Sequence, residues 1–438
     1  MRGIGMGSSG ERAPLRLGIA GLGTVGVGVL RMLGAHGDLI AARAGRPLAV
    51  TAVSARSRNR DRGIDISNFA WEDDPVEIAR REDVDLVIEV MGGEDGPAKA
   101  TVETALAGGK HVVTANKAML AHHGAAMAEM AEAGGTALRF EAAVAGGIPV
   151  VKALTEGLAA NAITRVAGVM NGTCNYILTE MEATGRDYAD VLAEAQAKGF
   201  AEADPATDVG GIDAAHKLAL LAATAFGARV DFAGVTIEGI ERVSLTDIRE
   251  ARAMGFAIKL LGLARPTEEG LEQRMQPCLV PAHSPLGQLD GVTNMVVIEG
   301  DFVGQTVYRG PGAGAGPTAS AILADVVDIA RGLVIPAFGR PAAELEAAAR
   351  AQAGAMAPFY LRLALSDAPG VLGEIAGILG RHGISINRMA QRDHAGEAAP
   401  VIIVTHGCRR GALDAALADI AATPVSLAPP VAIRIEDV

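Results

Sequence analysis

Residues 15–33 read Leu-Arg-Leu-Gly-Ile-Ala-Gly-Leu-Gly-Thr-Val-Gly-Val-Gly-Val-Leu-Arg-Met-Leu. The first six form an apolar run typical of a strand, residues 21–26 carry a Gly-x-Gly-x-x-Gly pattern, and an apolar helical pattern continues to Leu33. Between a strand and a helix, such glycines permit a tight turn, close approach of the backbone to a pyrophosphate, and close packing of the helix on the strand. The segment therefore predicts the opening of a dinucleotide-binding domain.

Further apolar runs follow, separated as the strands of a parallel sheet usually are along a chain. Apolar runs occupy 48–53, 84–90, 111–114 and 137–141, and helical patterns separate the later ones. Strands that are covered by helices on both faces tend to be apolar throughout. The alternation predicts an α/β chain whose first domain, residues 15–145, is a doubly wound parallel sheet of the Rossmann type.

The pattern changes after residue 145. Long helical stretches mixed with β-like runs predict an α+β domain over 146–340, followed by an Ala-rich linker at 341–357. From 358 to 438 the order strand, helix, strand, strand, helix, strand predicts a compact third domain. Residues 1–14 carry Gly and Ser without the apolar core of a signal peptide, so we interpret them as a flexible tail.

Composition narrows the class of protein. The 438 residues carry 39 Lys and Arg against 51 Asp and Glu, a net charge of −12, which argues against nucleic acid or an anionic membrane as the main partner. No stretch approaches the roughly 18 to 20 consecutive apolar residues of a membrane-spanning helix. The three cysteines are widely spaced and odd in number, which indicates neither a disulfide framework nor a zinc site and fits a reducing cytoplasm.

The turn after the second strand indicates the cofactor. NAD-binding domains usually place a carboxylate there for the ribose hydroxyls, whereas this chain has Ser54-Ala-Arg56-Ser-Arg58 and no acid before Asp61. Arginine and hydroxyl groups suit a 2′-phosphate, so the sequence favours NADP(H). NAD(H) stays possible, and the alternative interpretation is a solvated basic turn.

Candidate chemistry lies at strand ends and in one loop. Gly92 follows the third strand, and Thr114 to Lys117 follow the fourth, at the edge where such sheets bind ligands. The segment 199–217 gathers Glu202, Asp204, Asp208, Asp213 and Lys217 before an uncharged helical run. Asp213 and Lys217 share a helix face; the default interpretation is a surface pair, but the apolar helix that follows predicts a buried site in which the lysine moves protons and loop acids bind an ammonium group.

These residues resemble one family over nearly the whole chain, from Leu15 to the end. The chain resembles homoserine dehydrogenase in the long bacterial form with a C-terminal ACT domain. The matching segments are 21–26, 114–117, 141–149, 171–178, 199–217, 310–314, 367–372 and 383–386. The resemblance implies NADPH-dependent, reversible reduction of L-aspartate 4-semialdehyde to L-homoserine, on the route to threonine, isoleucine and methionine.

The resemblance also implies roles for single residues. Lys217 would donate the proton, Asp213 would orient it, and Lys117 would polarise the carbonyl or join the relay, although the sequence does not decide which lysine donates. Glu202 and Asp208 would bind the substrate amino group. The cofactor would contact Gly21, Gly23, Thr24, Val25, Gly26, Arg56, Gly92, Thr114, Lys117, Gly312 and Gly314. A monovalent cation, usually sodium, would be bound by Glu141 with the backbone oxygens of Val144, Gly146 and Ile148.

The resemblance further implies regulation and assembly. The third domain would be an ACT domain that binds a small amino acid, with threonine as the expected effector near Asp367, Gly370 and Asn387; the alternative is a domain that only aids assembly. Residues 146–340 would form the catalytic and dimerisation domain, whose helix after Gly314 packs back on the first domain, in a homodimer or homotetramer. The alternatives for function are another NADP-linked reductase of amino-acid metabolism and an inert amino-acid sensor. Cys174 as an attacking nucleophile is a minor alternative, since no histidine lies near it in sequence.

Overall fold

A computed structural model describes residues 12–202, 204–351, 354–391, 396 and 398–438. Most of the predicted tail, residues 1–11, lies outside the described part. The strands are β1 Leu15–Ala20, β2 Leu48–Ser54, β3 Ala70–Glu72, β4 Leu86–Glu89, β5 His111–Thr114, β6 Leu138–Arg139, β7 Ile163–Val169, β8 Thr236–Ile237, β9 Phe256–Thr267, β10 Gly270–Pro281, β11 Thr293–Gly300, β12 Gly304–Pro311, β13 Phe359–Ser366, β14 Ile386–Gln391, β15 Ala398–Thr405 and β16 Ser426–Ile435. The helices are α1 Thr24–Ala44, α2 Pro75–Arg80, α3 Pro97–Ala107, α4 Lys117–Ala133, α5 Val150–Lys152, α6 Gly172–Thr184, α7 Tyr188–Ala197, α8 Ala206–Val209, α9 Ile212–Phe226, α10 Leu245–Ala253, α11 Ala315–Arg331, α12 Val371–Arg381 and α13 Arg410–Ala421.

The described chain forms two compact units. The first takes residues 1–160, 223–230 and 311–346, and the second takes 161–222, 231–310 and 347–438. Each unit therefore collects segments that are distant in sequence, which a division of the chain by composition does not reveal.

The first unit is built on a six-stranded parallel sheet. Its strand order is β3-β2-β1-β4-β5-β6, the doubly wound order predicted for this part of the chain. The strands are short and apolar because helices cover both faces, and Leu17, Ile19, Leu86 and Ile88 are fully buried. The predicted α/β class is thereby confirmed, with β3 as a strand that the sequence analysis missed.

Helices α1 and α11 pack side by side in this unit. A Cβ on Gly28 of α1 would lie 2.7 Å from the carbonyl oxygen of Ala315, so the two backbones approach closely only because residue 28 is glycine. Helix α1 is long and apolar enough to cross a membrane by length and composition. Its Val29 and Ile40 belong to the buried apolar core of the first unit.

The second unit contains a mixed sheet that joins two predicted domains. Its strand order is β12-β11-β7-β9-β10-β16-β13-β15-β14, with β8 also paired to β10. The C-terminal strands and helices follow the predicted order strand, helix, strand, strand, helix, strand. Strand β16 pairs in parallel with β10, Cys278 opposite Arg434 and Leu279 opposite Ile435. The C-terminal domain is thus continuous with the preceding sheet.

Buried ion pairs lie near the junction between β10 and the C-terminal strands. Asp247 of α10 is fully buried and accepts hydrogen bonds from the Tyr360 hydroxyl at 2.9 Å and the Arg362 guanidinium at 2.8 Å, both on β13. Glu272 on β10 accepts from Arg265 at 2.8 Å and Arg274 at 2.6 Å. Residues 341–357, the predicted linker, also contribute, because the Ala349 carbonyl accepts from the Leu271 backbone at 2.8 Å.

Candidate functional site

In the glycine turn of the first unit, close approaches to backbone require glycine at two of the three positions. Gly21 has φ +115°, and a Cβ there would lie 2.7 Å from the Val90 carbonyl oxygen. A Cβ on Gly26 would lie 2.0 Å from the Gly21 carbonyl oxygen. Around Gly23, the N-cap of α1, a Cβ would meet no heavy atom of the described chain within 4 Å. The turn therefore leaves its open side at Gly23, next to the helix N-terminus formed by Thr24 and Val25.

Arg62 organises the basic turn after β2. Its guanidinium donates to the Leu22 carbonyl in the glycine turn at 3.2 Å, to the Arg60 carbonyl at 2.8 Å, and to the Ser57 carbonyl. Arg58 and Arg62 lie 5.9 and 5.7 Å from the Trp71 ring centre. Arg56 is exposed on this turn. Arg62 was not predicted, because nothing in the spacing of the basic turn shows that one arginine binds the carbonyls of its neighbours.

A buried network joins the ends of β4 and β5. The carboxylate of Glu89 accepts from the Thr114 hydroxyl at 2.6 Å and from the Met91 backbone at 2.7 Å, while the Asn116 side chain donates to the Gly93 carbonyl at 2.7 Å. Burial raises the pKa of the Glu89 carboxyl, and these bonds oppose the rise. Glu89 was also missed, although an acid that ends an apolar strand is a recognisable signal.

Lys117 is the first residue of α4, directly after its cap. Asn116 caps the helix by accepting from the Met119 backbone at 3.1 Å. A cation in the first turn faces the positive end of the helix dipole, which destabilises the helix. The helix dipole therefore does not favour a lysine at this position.

The predicted cation and cofactor segments meet within the first unit. A Cβ on Gly146 would lie 2.4 Å from the Gly312 carbonyl oxygen, so the loop 144–148 touches the glycine-rich segment that precedes α11. Glu141 is buried, and its carboxylate accepts from the Val151 and Lys152 backbone at 2.9 and 2.7 Å. Burial and the charge of Asp325 raise the pKa of Glu141 to about 7. Gly314, with φ +116°, caps α11.

Lys217 is buried at the start of α9 in the second unit. Its residue is 8% exposed, and its ammonium donates to Asp213 at 2.6 Å and to the Met170 carbonyl at 2.8 Å. The helix continues through fully buried Leu218, Leu220 and Leu221. Asp213 and Lys217 are thus not a solvated surface pair. Helix α9 buries the Lys217 ammonium, and the Asp213 carboxylate fixes its orientation.

Asp208 lies close to this pair. Its carboxylate accepts from the Asn171 side chain at 2.9 Å. Burial raises the pKa of the Asp208 carboxyl, the bond from Asn171 opposes the rise, and the charge of Asp213 adds to it while that of Lys217 lowers it. Glu202, on the exposed loop before α8, also raises the pKa of Asp208 by its charge. The second unit therefore gathers these three acids around one lysine.

The environment of Cys174 disfavours a reactive thiolate. It is fully buried, its thiol donates to the Asp208 carbonyl at 3.2 Å, and burial raises its pKa well above the ordinary value. An attacking cysteine needs a lowered pKa and access, so the nucleophile interpretation is wrong. Cys278 and Cys408 are likewise free and buried.

The predicted effector residues lie around the start of α12 and on β14. Asp367 follows β13 and is exposed, Gly370 caps α12 with φ +92°, and Asn387 is exposed on β14. Strand β15 separates β13 from β14 in the sheet.

Comparisons with known proteins match all three parts of the chain. A family model described as homoserine dehydrogenase matches residues 149–327, one described as homoserine dehydrogenase, NAD binding domain, matches 21–141, and one for the ACT domain matches 359–424. The homoserine dehydrogenase of Neisseria gonorrhoeae is 42% identical over 97% of this chain and 99% of its own length. That of Pseudomonas aeruginosa is 42% identical over 97% and 99%. A crystal structure of a homoserine dehydrogenase from Thiobacillus denitrificans is 40% identical, with a TM-score of 0.91 over 98% of this chain and 99% of that one.

Proposed function

Because the chain belongs to the homoserine dehydrogenase family, and is therefore an NAD(P)-dependent oxidoreductase, we propose that Lys217 exchanges the proton in its reaction. The reaction is the reversible reduction of L-aspartate 4-semialdehyde to L-homoserine. The observation that carries the assignment is the buried ammonium of Lys217, held by Asp213 and the Met170 carbonyl. The two alternatives, another reductase and an inert sensor, are not favoured by relatives that match over nearly their full length.

The chemistry assigned to Lys217 follows from its donor count. A lysine ammonium has three N–H donors, and the bonds to Asp213 and Met170 use two of them. We assign the third to the aldehyde oxygen of the substrate. A bound nicotinamide supplies the hydride to the carbonyl carbon, and Lys217 gives its proton to the oxygen as the C=O double bond becomes a C–O single bond. In the reverse direction the neutral amine takes the hydroxyl proton.

Two acids are proposed to bind the substrate ammonium. Asp208 is half-buried beside the Lys217 pair, and its ionised carboxylate would form a charge-assisted hydrogen bond with the amino group. Glu202 would supply a second carboxylate from the adjacent loop. Lys117 is proposed to polarise the carbonyl or to join the proton relay, the role that the family resemblance implies, because it closely follows the end of β5 at the edge where such sheets bind ligands.

We propose NADP(H) as the preferred nicotinamide cofactor. The open side of the glycine turn at Gly23 suits a pyrophosphate. The basic turn after β2, which Arg62 holds together, carries the exposed Arg56, and the end of β2 has no carboxylate. Arg56 would then pair with the 2′-phosphate. Gly92, Thr114, Gly312 and Gly314 stay proposed cofactor contacts. Saturation curves with NADP and NAD, for the wild type and Arg56→Ala, test the preference: the variant should lose it while its KM for NAD is unchanged.

A monovalent cation, sodium by resemblance, is proposed at Glu141 and the carbonyls of Val144, Gly146 and Ile148. The residues fit such a group, because burial and the charge of the nearby Asp325 raise the pKa of Glu141, and a bound cation would favour its ionised form. Oxygen ligands also suit a hard cation. Its proposed role is structural: sodium, compared with choline at equal ionic strength, should raise the melting temperature of the wild type but not of Glu141→Gln.

Regulation and assembly complete the proposal. We propose that threonine binds the ACT domain near Asp367, Gly370 and Asn387 and inhibits the enzyme, which works in the cytoplasm as a homodimer or homotetramer. The exposure of Asp367 and Gly370 at the start of α12, and of Asn387 on β14, supports an effector site. Inhibition by added threonine, lost in Asp367→Ala, would support this assignment, and indifference of the wild type to threonine would contradict it.

The decisive experiment follows homoserine-dependent reduction of NADP. We expect activity in the wild type and a loss of kcat in Lys217→Ala by at least about a hundredfold, the scale of general acid–base catalysis. Lys99→Ala is the matched control, because Lys99 forms a partly exposed ion pair of the same i,i+4 spacing with Glu103. An inactive wild type would contradict the enzyme assignment, and a fully active Lys217→Ala would contradict the role of that lysine.

A further inference from the structure

The first turn of α6 contacts the acid-bearing loop at three places. The Asn171 amide donates to the Asp208 carboxylate at 2.9 Å, the Cys174 thiol donates to the Asp208 carbonyl at 3.2 Å, and the Thr173 hydroxyl donates to the Phe200 carbonyl at 2.7 Å. All three donors are buried, at 9% exposure or less. One helix turn therefore holds both ends of the segment 200–208, which carries Glu202 and Asp208.

The same turn also holds Lys217. The residue before Asn171 is Met170, whose carbonyl accepts from the Lys217 ammonium at 2.8 Å. The turn itself is fixed from behind: a Cβ on Gly172 would lie 2.6 Å from the Val292 carbonyl oxygen, so only glycine allows this approach. Asn171 caps α6 by accepting from the Cys174 backbone at 2.8 Å, which leaves its amide group directed to Asp208.

We propose that residues 170–174 act as a clamp that sets the distance between the substrate-binding acids and the proton-donating lysine, with Asn171, Thr173 and Cys174 as positioning residues. The inference rests on the proposed roles of Asp208 and Lys217 and adds a specificity function to them. A substrate with an amino group must place its ammonium on Asp208 and its oxygen on Lys217 at once, and the clamp fixes the distance between these two groups. None of the three side chains needs to touch the substrate.

Other support for the described residues of the loop between the clamped ends lies at its start, where Ala201 is buried, the Phe200 backbone donates to the Ala195 carbonyl at 2.8 Å and the Gln196 side chain donates to the Glu202 carbonyl at 3.0 Å. Gly199, Phe200, Glu202 and Asp204 are exposed, and Gly199 has φ +73°. Tyr176, one turn further along α6, adds an edge-on contact to the Phe200 ring at 4.9 Å between centres. Without the hydrogen bonds from α6, we expect the loop to sample positions in which its acids miss the substrate ammonium, which raises KM for homoserine more than it lowers kcat.

Conservative substitutions test the clamp. Thr173→Val keeps the shape and removes the donor to Phe200, and Asn171→Ser keeps an N-cap oxygen while losing the reach to Asp208. Thr173→Val should raise KM for homoserine about fivefold, the equivalent of one neutral hydrogen bond, and Asn171→Ser should raise it at least about tenfold, because its bond is to a carboxylate. KM for NADP should be unchanged in both variants. Cys174→Ser, which retains a donor, should stay near the wild type, whereas Cys174→Ala should not. Thr184→Val is the matched control, because that threonine bonds the Glu180 carbonyl within the same helix.

A pH profile and a melting curve separate positioning from mere structural support. Asn171→Ser removes a bond that lowers the pKa of Asp208, so the acid limb of the kcat/KM profile should move to higher pH. The variant leaves unchanged the other titratable groups that face this carboxyl, which are Asp213, Lys217, Glu202 and Cys174. Lower melting temperatures with unaltered KM and pH profile in Thr173→Val and Asn171→Ser would overturn the clamp. If Asp208→Asn itself keeps the wild-type KM for homoserine, the proposed substrate role has failed, a result distinguishable from failure of the clamp.

Discussion

Two alanine substitutions in the glycine turn should have opposite effects on stability and cofactor binding. In Gly26→Ala the new Cβ would lie 2.0 Å from the Gly21 carbonyl oxygen, a distance that requires backbone movement. Overpacking costs typically about 1–3 kcal/mol, and a clash with the Gly21 backbone rather than with a flexible side chain favours the upper end. For a unit of this size, about 3 kcal/mol lowers the melting temperature by about 6–12 °C.

Gly23→Ala meets no such obstacle. Its Cβ has no heavy atom of the described chain within 4 Å, and its φ of −80° suits any residue. An N-cap change from glycine to alanine costs below about 1 kcal/mol. The methyl group would instead occupy the space into which a pyrophosphate must come. Losing one or two charge-assisted bonds to phosphate should raise KM for NADP by about ten- to a hundredfold.

The assay is a melting curve for both variants, with KM for NADP at saturating homoserine. Gly23→Ala should melt near the wild type and bind NADP poorly. Gly26→Ala should melt early even without the cofactor. A Gly23→Ala enzyme with wild-type KM for NADP, or a Gly26→Ala enzyme with wild-type melting temperature, would refute the reasoning from the turn.

Three other substitutions test the second unit. Asp213→Asn should lower kcat at least about tenfold with little change in KM, measured in steady state, because the Lys217 ammonium loses its charged partner at 2.6 Å. As pH falls through the raised pKa of Asp208, its carboxylate gains a proton and KM for homoserine should rise; Asp208→Asn should have a high KM that no longer changes in that range. Asp247→Ala leaves the Tyr360 hydroxyl and the Arg362 guanidinium without this buried acceptor, so denaturant titration should show about 2–3 kcal/mol lower stability, and an unchanged stability would contradict the junction described above.

Local patterns in the chain were enough to predict the first sheet and the C-terminal fold. Residues 15–33 carry the patterns of a strand, a turn and a helix in direct succession. Apolar runs such as 84–90 predict strands that are buried on both faces. Because alternating strands and helices imply parallel pairing, the alternation predicted a doubly wound parallel sheet, although not the short strand β3. The pairing of Asp213 with Lys217 was predictable for a similar reason, since a spacing of four places two residues on one helix face.

Contacts between distant segments needed the tertiary structure. Arg62 binding the Leu22 carbonyl, Gly146 approaching Gly312, and Asp247 holding β13 each join residues that no local pattern relates. The same holds for the pairing of β16 with β10, which makes one sheet of two predicted domains. Hydrogen bonds and close approaches across long sequence separations depend on the packed fold, whereas periodicity and turn chemistry act over neighbouring residues. For that reason the strands, the helices and the Asp213–Lys217 pair could be predicted, but the contacts that position Asp208 could not.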